Sequence, residues 1–138
     1  MEWKLIIGKL LRRKRVTAHV LLRDGDKFLL VQEAVGRIRE LWGLPGGGVE
    51  EGEVYERTAE REAEEETGYD IKIIKKLIVI EDKKRGSIRH VFLAKIKNGE
   101  LKIREDEHMD ARWFTVSEIE NMKGKLRGDW VLRAVKSV

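Results

Sequence analysis

The stretch GGVEEGEVYERTAEREAEEETGY, Gly47 to Tyr69, decides how the rest of the chain is read. From Glu53 to Thr67 it contains no proline or glycine and is filled with strong helix formers, and Gly68 then supplies a C-terminal stop. A helix over 53–67 is predicted. On it, Glu62, Glu65 and Glu66 stand at i, i+3 and i+4, so three carboxylates share one face within a turn, where like charges repel. Tyr55, Ala59, Ala63 and Thr67 recur every four residues and form a small, semi-apolar stripe suited to packing on a sheet. With about 100° of rotation per residue the two stripes are adjacent, which places the carboxylates along the edge of a cleft.

A glutamate run on a helix is usually a solvated face. Here residues 47–69 hold nine acidic and two basic side chains, a local charge of −7, and a helix carrying that charge is more easily explained if cations bind. Oxygen ligands without neighbouring histidine or cysteine select hard ions, so magnesium is expected, with manganese as the substitute. The protein has no cysteine, which excludes disulfides, thiolate metal sites and a cysteine nucleophile.

Upstream, Val16–Arg23 and Lys27–Gln32 are β-rich runs around the turn Asp24-Gly25-Asp26 and read as a hairpin. Residues 33–52 lose periodicity, and the only proline, Pro45, precedes Gly46-Gly47-Gly48. Three consecutive glycines imply a loop whose backbone takes positive φ or approaches a ligand closely. Downstream, 71–80 and 89–96 form a second hairpin around a charged turn, and 111–114 a short strand. Ser117 is the expected N-cap of a helix through Met122, and 130–135 a last helix.

At 138 residues the chain suits one compact domain. Residues 1–15 carry six basic and one acidic side chain, a basic extension ahead of a domain over 16–138. The apolar run 5–11 precedes the basic cluster at 12–15, the reverse of a secretory signal, and no run is long enough to span a bilayer. A cytoplasmic protein without membrane contact is expected. Basic groups at the ends without interleaved aromatics make nucleic acid an unfavoured partner. The mixture of apolar and basic residues in the extension makes it a candidate for exchange between two copies in a homodimer. Scarce amides (Gln32, Asn98 and Asn121 alone) with abundant Lys, Glu and Arg fit a thermophilic source.

The spacing Gly47-x5-Glu53-x7-Arg61-Glu62-Ala63-x-Glu65-Glu66-x-Gly68-Tyr69 resembles the complete Nudix box, G-x5-E-x7-R-E-U-x-E-E-x-G-U with U apolar. Seven fixed letters match, a coincidence on the order of 10⁻⁷ at a given start. The lead-in Leu41 to Gly47 is similar to the segment that precedes the box in this MutT-like family, and Ala63 and Tyr69 are mild departures at apolar positions. The resemblance implies an α/β fold, an α/β/α sandwich with a mixed β-sheet. It also implies magnesium-dependent hydrolysis of the diphosphate bond of a nucleoside diphosphate linked to a further group, releasing a nucleoside monophosphate. By position it makes Glu62, Glu65 and Glu66 metal ligands and catalytic groups, with the Gly46 carbonyl a further ligand, Arg61 orienting the glutamates and Glu53 supporting Arg61.

For the group that takes the proton from water the candidates are Glu62 and an acid of the segment 105–113, of which Glu107 is preferred. His108 is expected to be a neighbour rather than a ligand, and His19 and His90 lack ligand spacing. Arg37, Arg39 and Trp42 are the candidates for substrate contact, the arginines toward phosphate or ribose and Trp42 toward a base. Val31 to Ala34 resembles family members acting on nucleoside di- and triphosphates, oxidised ones included, and ADP-ribose is the other substrate class open. Two rival readings stand beside the enzyme: a catalytically idle nucleotide-binding Nudix domain, and an RNA 5′-end pyrophosphohydrolase held to its substrate by the basic ends.

Overall fold

The computed structural model describes residues 14–138, so the basic extension lies almost wholly outside the described residues. β1 (Arg15–Asp24) and β2 (Lys27–Glu33) leave the turn as a hairpin but stay paired only at Arg23↔Phe28 and Asp24↔Lys27. Beyond that they diverge, and the glycine-rich segment fills the gap. β3 (Trp42–Gly43) pairs with β2, while β4 (Gly46–Gly48) pairs with Thr17, Ala18 and His19 of β1. The segment expected to be a loop therefore contributes two short strands.

On its other edge β1 runs parallel to β6 (Ser87–Gly99) from Arg15↔Ser87 to Leu22↔Ala94. β6 is the second arm of an antiparallel hairpin with β5 (Tyr69–Asp82), and β7 (His108–Thr115) lines up along β2. The outcome is one seven-stranded mixed sheet. Alternation along β1 decides what each face buries. Ala18, Val20 and Leu22 face α1 (Tyr55–Thr67) with Phe92 and Ala94, whereas Leu21 packs with Leu30 and Val91 on the opposite face. That second face is covered by Ile119 of α2 (Val116–Glu120) and by Trp130, Val131 and Val135 of α3 (Asp129–Lys136). Each fully buried leucine or phenylalanine contributes about 2 kcal/mol. The layers are helix, sheet, helix, as expected. Among the described residues no helix is long and apolar enough to cross a membrane.

α1 buries Ala59, Ala63 and Thr67 completely, as its stripe predicts, but Tyr55 stays exposed and stacks on His90 with ring centroids 3.8 Å apart. The helix begins at Tyr55 rather than Glu53, because Val54 is extended at φ −78° and ψ 153°, and the Glu53 carboxylate ahead of it accepts from Arg61 and Thr58. Gly68 closes it at φ 80°, its N–H on the Glu64 carbonyl.

The expected N-cap Ser117 is corrected. Thr115 caps α2, accepting from Glu118 N–H while the Glu118 carboxylate accepts from Thr115 N–H, a reciprocal capping box. Thr115→Ala is expected to lower stability by about 1 kcal/mol, whereas Ser117→Ala, measured by the same denaturant titration, should change little.

Candidate metal and substrate site

Two of the three glycines, Gly46 and Gly47, act by close approach. None of Gly46, Gly47 and Gly48 has positive φ. A Cβ at Gly47 would lie 2.6 Å from the Glu62 carboxyl carbon, and one at Gly46 would meet the His19 ring and the Ala18 carbonyl oxygen. The Gly46 N–H donates to Glu66 Oε2 at 2.8 Å. The bare backbone of β4 thus lies directly against two of the three carboxylates.

Arg61 organises the face. Its Nε and Nη2 clasp both oxygens of Glu53 at 2.9 Å each, and its Nη1 reaches Glu62 at 2.9 Å and Glu65 at 3.5 Å. This fork-to-fork pairing is the strong kind of charged hydrogen bond. Arg61, with a Thr58 hydroxyl bond, draws Glu53 down to about 2, and Glu53 first and Glu62 next raise Arg61. Glu62 is raised by burial, opposed by Arg61.

Glu66 is different. Only 4% exposed, it forms no ion pair among the described residues, and burial, opposed by the Gly46 N–H and reinforced by Glu62, Glu33 and Glu107, pushes it up to about 9. A carboxyl so placed is protonated at neutral pH unless a cation joins it. All the donors that converge there save one ring are oxygens, which fits a hard divalent ion.

Glu107 and His108 complete the group, each offering a ligand atom within 4.8 Å of the others and of Glu66. His108, expected to be a mere neighbour, is brought into the cluster by the pairing of β7 with Glu33. Its ring is 3% exposed, with Nε2 3.5 Å from Glu33 and Nδ1 without a hydrogen bond. Two residues of this neighbourhood escaped the sequence reading. Glu33 spans from His108 to Arg127, whose Nη1 is 3.2 Å away, and Arg104 stands 4.0 Å from Glu65 and 3.6 Å from Glu107. Glu33 lies in the stretch Val31 to Ala34 that resembles the family, but its pairing with His108 and Arg127, like that of Arg104 with Glu65, joins residues remote in the chain.

The substrate candidates separate. Arg37 lines a cavity beside Gly46 and Gly47, but Arg39 is exposed and outside that lining. Trp42 is 8% exposed, packed edge-on against Phe114 at 5.2 Å within the second core, so the base-stacking expectation is corrected: its ring is spent on the interior. His19 is also interior. Burial lowers it to about 3, and since the Leu44 carbonyl can only accept, Nδ1 carries the proton and Nε2 receives the Thr17 hydroxyl.

The pH response of Glu66 has a definite sign. Its folded pKa is raised from the ordinary 4.5, so the stability it confers is full below that value and is lost as pH rises toward about 9. The metal-free protein is expected to melt at progressively lower temperature across that window. Magnesium should restore the loss, and Glu66→Gln should flatten the wild-type slope. Parallel wild-type and variant melting curves against pH would overturn the assignment.

The family model described as the NUDIX domain matches residues 12–134. Over 102 residues, 72% of this chain and 31% of the relative, the sequence is 35% identical to the 8-oxo-dGDP phosphatase NUDT18 of Mus musculus. It is 29% identical over 126 residues, 84% of this chain and 74% of the relative, to the ADP-ribose pyrophosphatase of Methanocaldococcus jannaschii. The chain spans about a third of the length of the first curated relatives it matches, 34% and 31%. Among solved structures, the MutT NUDIX hydrolase from Burkholderia pseudomallei superposes with a TM-score of 0.78 at 27% identity, covering 90% of this chain and 97% of that one.

Proposed function

The chain belongs to the Nudix family, and on that premise we propose that it hydrolyses a diphosphate bond in a nucleoside diphosphate linked to a further group, releasing a nucleoside monophosphate. The observation that carries the reading is Glu66: a buried carboxyl ringed by Glu62, Glu107 and Glu33, in no ion pair among the described residues. Glu62, Glu65 and Glu66 would hold magnesium, with the Gly46 carbonyl as a further donor on β4. When bound, the ion supplies charge neutralisation between carboxylates and pyrophosphate, polarisation of a phosphoryl oxygen and acidification of water.

The residues of this chain do the rest. Arg61 fixes Glu62 and Glu65 in one orientation, and Glu53 fixes Arg61. The glycine backbone of β4 lets the pyrophosphate come within reach of the carboxylates, since a side chain there would fill the space. Glu107 is the group assigned to take the proton from the attacking water, whose oxygen bonds to one phosphorus as that phosphorus's bond to the bridging oxygen breaks and the other phosphate leaves with the bridging oxygen. His108, held by Glu33, orients Glu107's side of the cleft.

Relatives named for 8-oxo-dGDP and for ADP-ribose define the substrates to try first. The experiment is a phosphate- and monophosphate-release panel with magnesium on ADP-ribose, normal and 8-oxo nucleoside di- and triphosphates, and diadenosine polyphosphates. Magnesium-dependent release of a nucleoside monophosphate is expected. Tight nucleotide binding with no product from any member of the panel would favour the idle-domain alternative.

A further inference from the structure

Gly46 and Gly47 border a cavity of about 380 Å³ whose lining, among the described residues, holds five arginines, Arg15, Arg37, Arg85, Arg89 and Arg127, and no carboxylate. The parallel pairing of β1 with β6 assembles it, setting Arg15 opposite Ser87 and Thr17 opposite Arg89. Among the described residues, Arg15, Arg37, Arg85 and Arg89 make no ion pair with an acid; Arg127 alone has one, to Glu33.

The two innermost cations are held in place rather than left to wander. Arg127 donates its backbone N–H to the Trp42 carbonyl at 2.8 Å. Its stem crosses Gly43, where a Cβ would lie 2.5 Å from Arg127 Cδ. Its Nε–H is buried with no acceptor among the described residues. The guanidinium carbons of Arg89 and Arg127 lie 4.6 and 5.6 Å from the centroid of the same ring, Trp130. Burial lowers both arginines; Arg127, Arg15 and Arg85 lower Arg89 further against Asp82, while Glu33 and Glu66 oppose the lowering of Arg127 and Arg15 adds to it. Two like charges sharing one aromatic ring, with a buried donor unanswered, describe a site organised in advance for an anion. Guanidinium forks match phosphate oxygens in pairs, which ammonium groups do not.

We propose that this cavity is a phosphoryl subsite, receiving a phosphate of the substrate beyond the two joined by the scissile bond. The inference rests on the hydrolase reading and names its substrate class: nucleotides with three or more phosphates in a row are preferred over diphosphates and over diphosphates ending in a neutral sugar. The cavity borders the β4 glycines, whose other side meets Glu62 and Glu66, so a phosphate chain lying across β4 reaches both sites.

Two measurements on the full-length chain test it. Metal-stripped protein is titrated with inorganic tripolyphosphate by calorimetry; without divalent ions the carboxylates repel polyphosphate, so binding reports the arginines. Wild type is expected to bind, and Arg89→Gln to bind at least tenfold more weakly. Arg85→Gln, at an exposed turn where folding is not at stake, should weaken binding similarly. With magnesium, the ratio of kcat/KM for nucleoside triphosphate over diphosphate should fall about tenfold in both variants. No tripolyphosphate binding by wild type, or equal binding by both variants, overturns the proposal. So does an active enzyme whose variants change guanine-over-adenine preference while the phosphate ratio holds, since the arginines would then read a base edge. Tripolyphosphate binding by a protein inactive on every nucleotide would instead overturn the hydrolase reading and leave the anion subsite standing.

Discussion

Glu66→Gln is expected to lower turnover by about three orders of magnitude, the scale of removing one charged group that acts on a phosphoryl transition state, while leaving the metal-free fold at least as stable. The two effects separate because the amide is isosteric with the neutral acid that burial already favours. The amide oxygen still accepts from the Gly46 N–H, so β4 stays in place. What is lost is the negative charge offered to a cation. Steady-state kinetics with magnesium, alongside thermal melts in chelator, make the comparison. Turnover within threefold of wild type would remove Glu66 from the chemistry, and a collapse of the melting temperature would make it structural.

The second large effect is on stability and comes from Gly46→Ala. The added methyl would collide with the Ala18 carbonyl oxygen and the His19 ring. Neither can swing away, for Ala18 and His19 lie inside β1, which is paired on both edges, and His19 is bonded to Leu44 and Thr17. Overpacking against backbone is expected to cost about 3 kcal/mol, or about 10 °C in melting temperature for a domain of this size. The neighbouring glycines supply controls. At Gly47 the methyl meets the end of the Glu62 side chain, so activity should suffer more than stability, and at Gly48 nothing lies within 4 Å. Denaturant titration of the three alanine variants should rank them Gly46, Gly47, Gly48 in decreasing loss. Equal losses at all three would mean that chain entropy, rather than close approach, explains the glycines.

Local patterns carried much of this protein. The helix 55–67, its Ala59–Ala63–Thr67 packing stripe and its carboxylate face follow from spacing, because residues three and four apart on a helix must be neighbours. Arg61 and Glu53 are eight residues apart, yet their pairing was also legible, through the family's pattern rather than through geometry. Thr115-Val116-Ser117-Glu118 carries the capping-box spacing, but Ser117 also stands at the head of the expected helix, and the reciprocal bonds of Thr115 and Glu118 choose between the two caps. For Trp42, an aromatic in a glycine-rich segment, the sequence leaves stacking and packing both open, and the pairing of β3 with β2 carries it inward.

The sequence by itself determined one helix, its three carboxylates, its arginine and the glycines that approach them, since all of these lie within 24 residues and obey helical or backbone sterics. The tertiary structure decided what surrounds them. Glu33, Arg104 and His108 join the acidic cluster, and Arg15, Arg37, Arg85, Arg89 and Arg127 line one cavity, through the parallel register of β1 on β6 and the alignment of β7 on β2. Those registers are fixed by which apolar faces bury together across the whole sheet, a sum over distant residues that no single stretch of the chain contains.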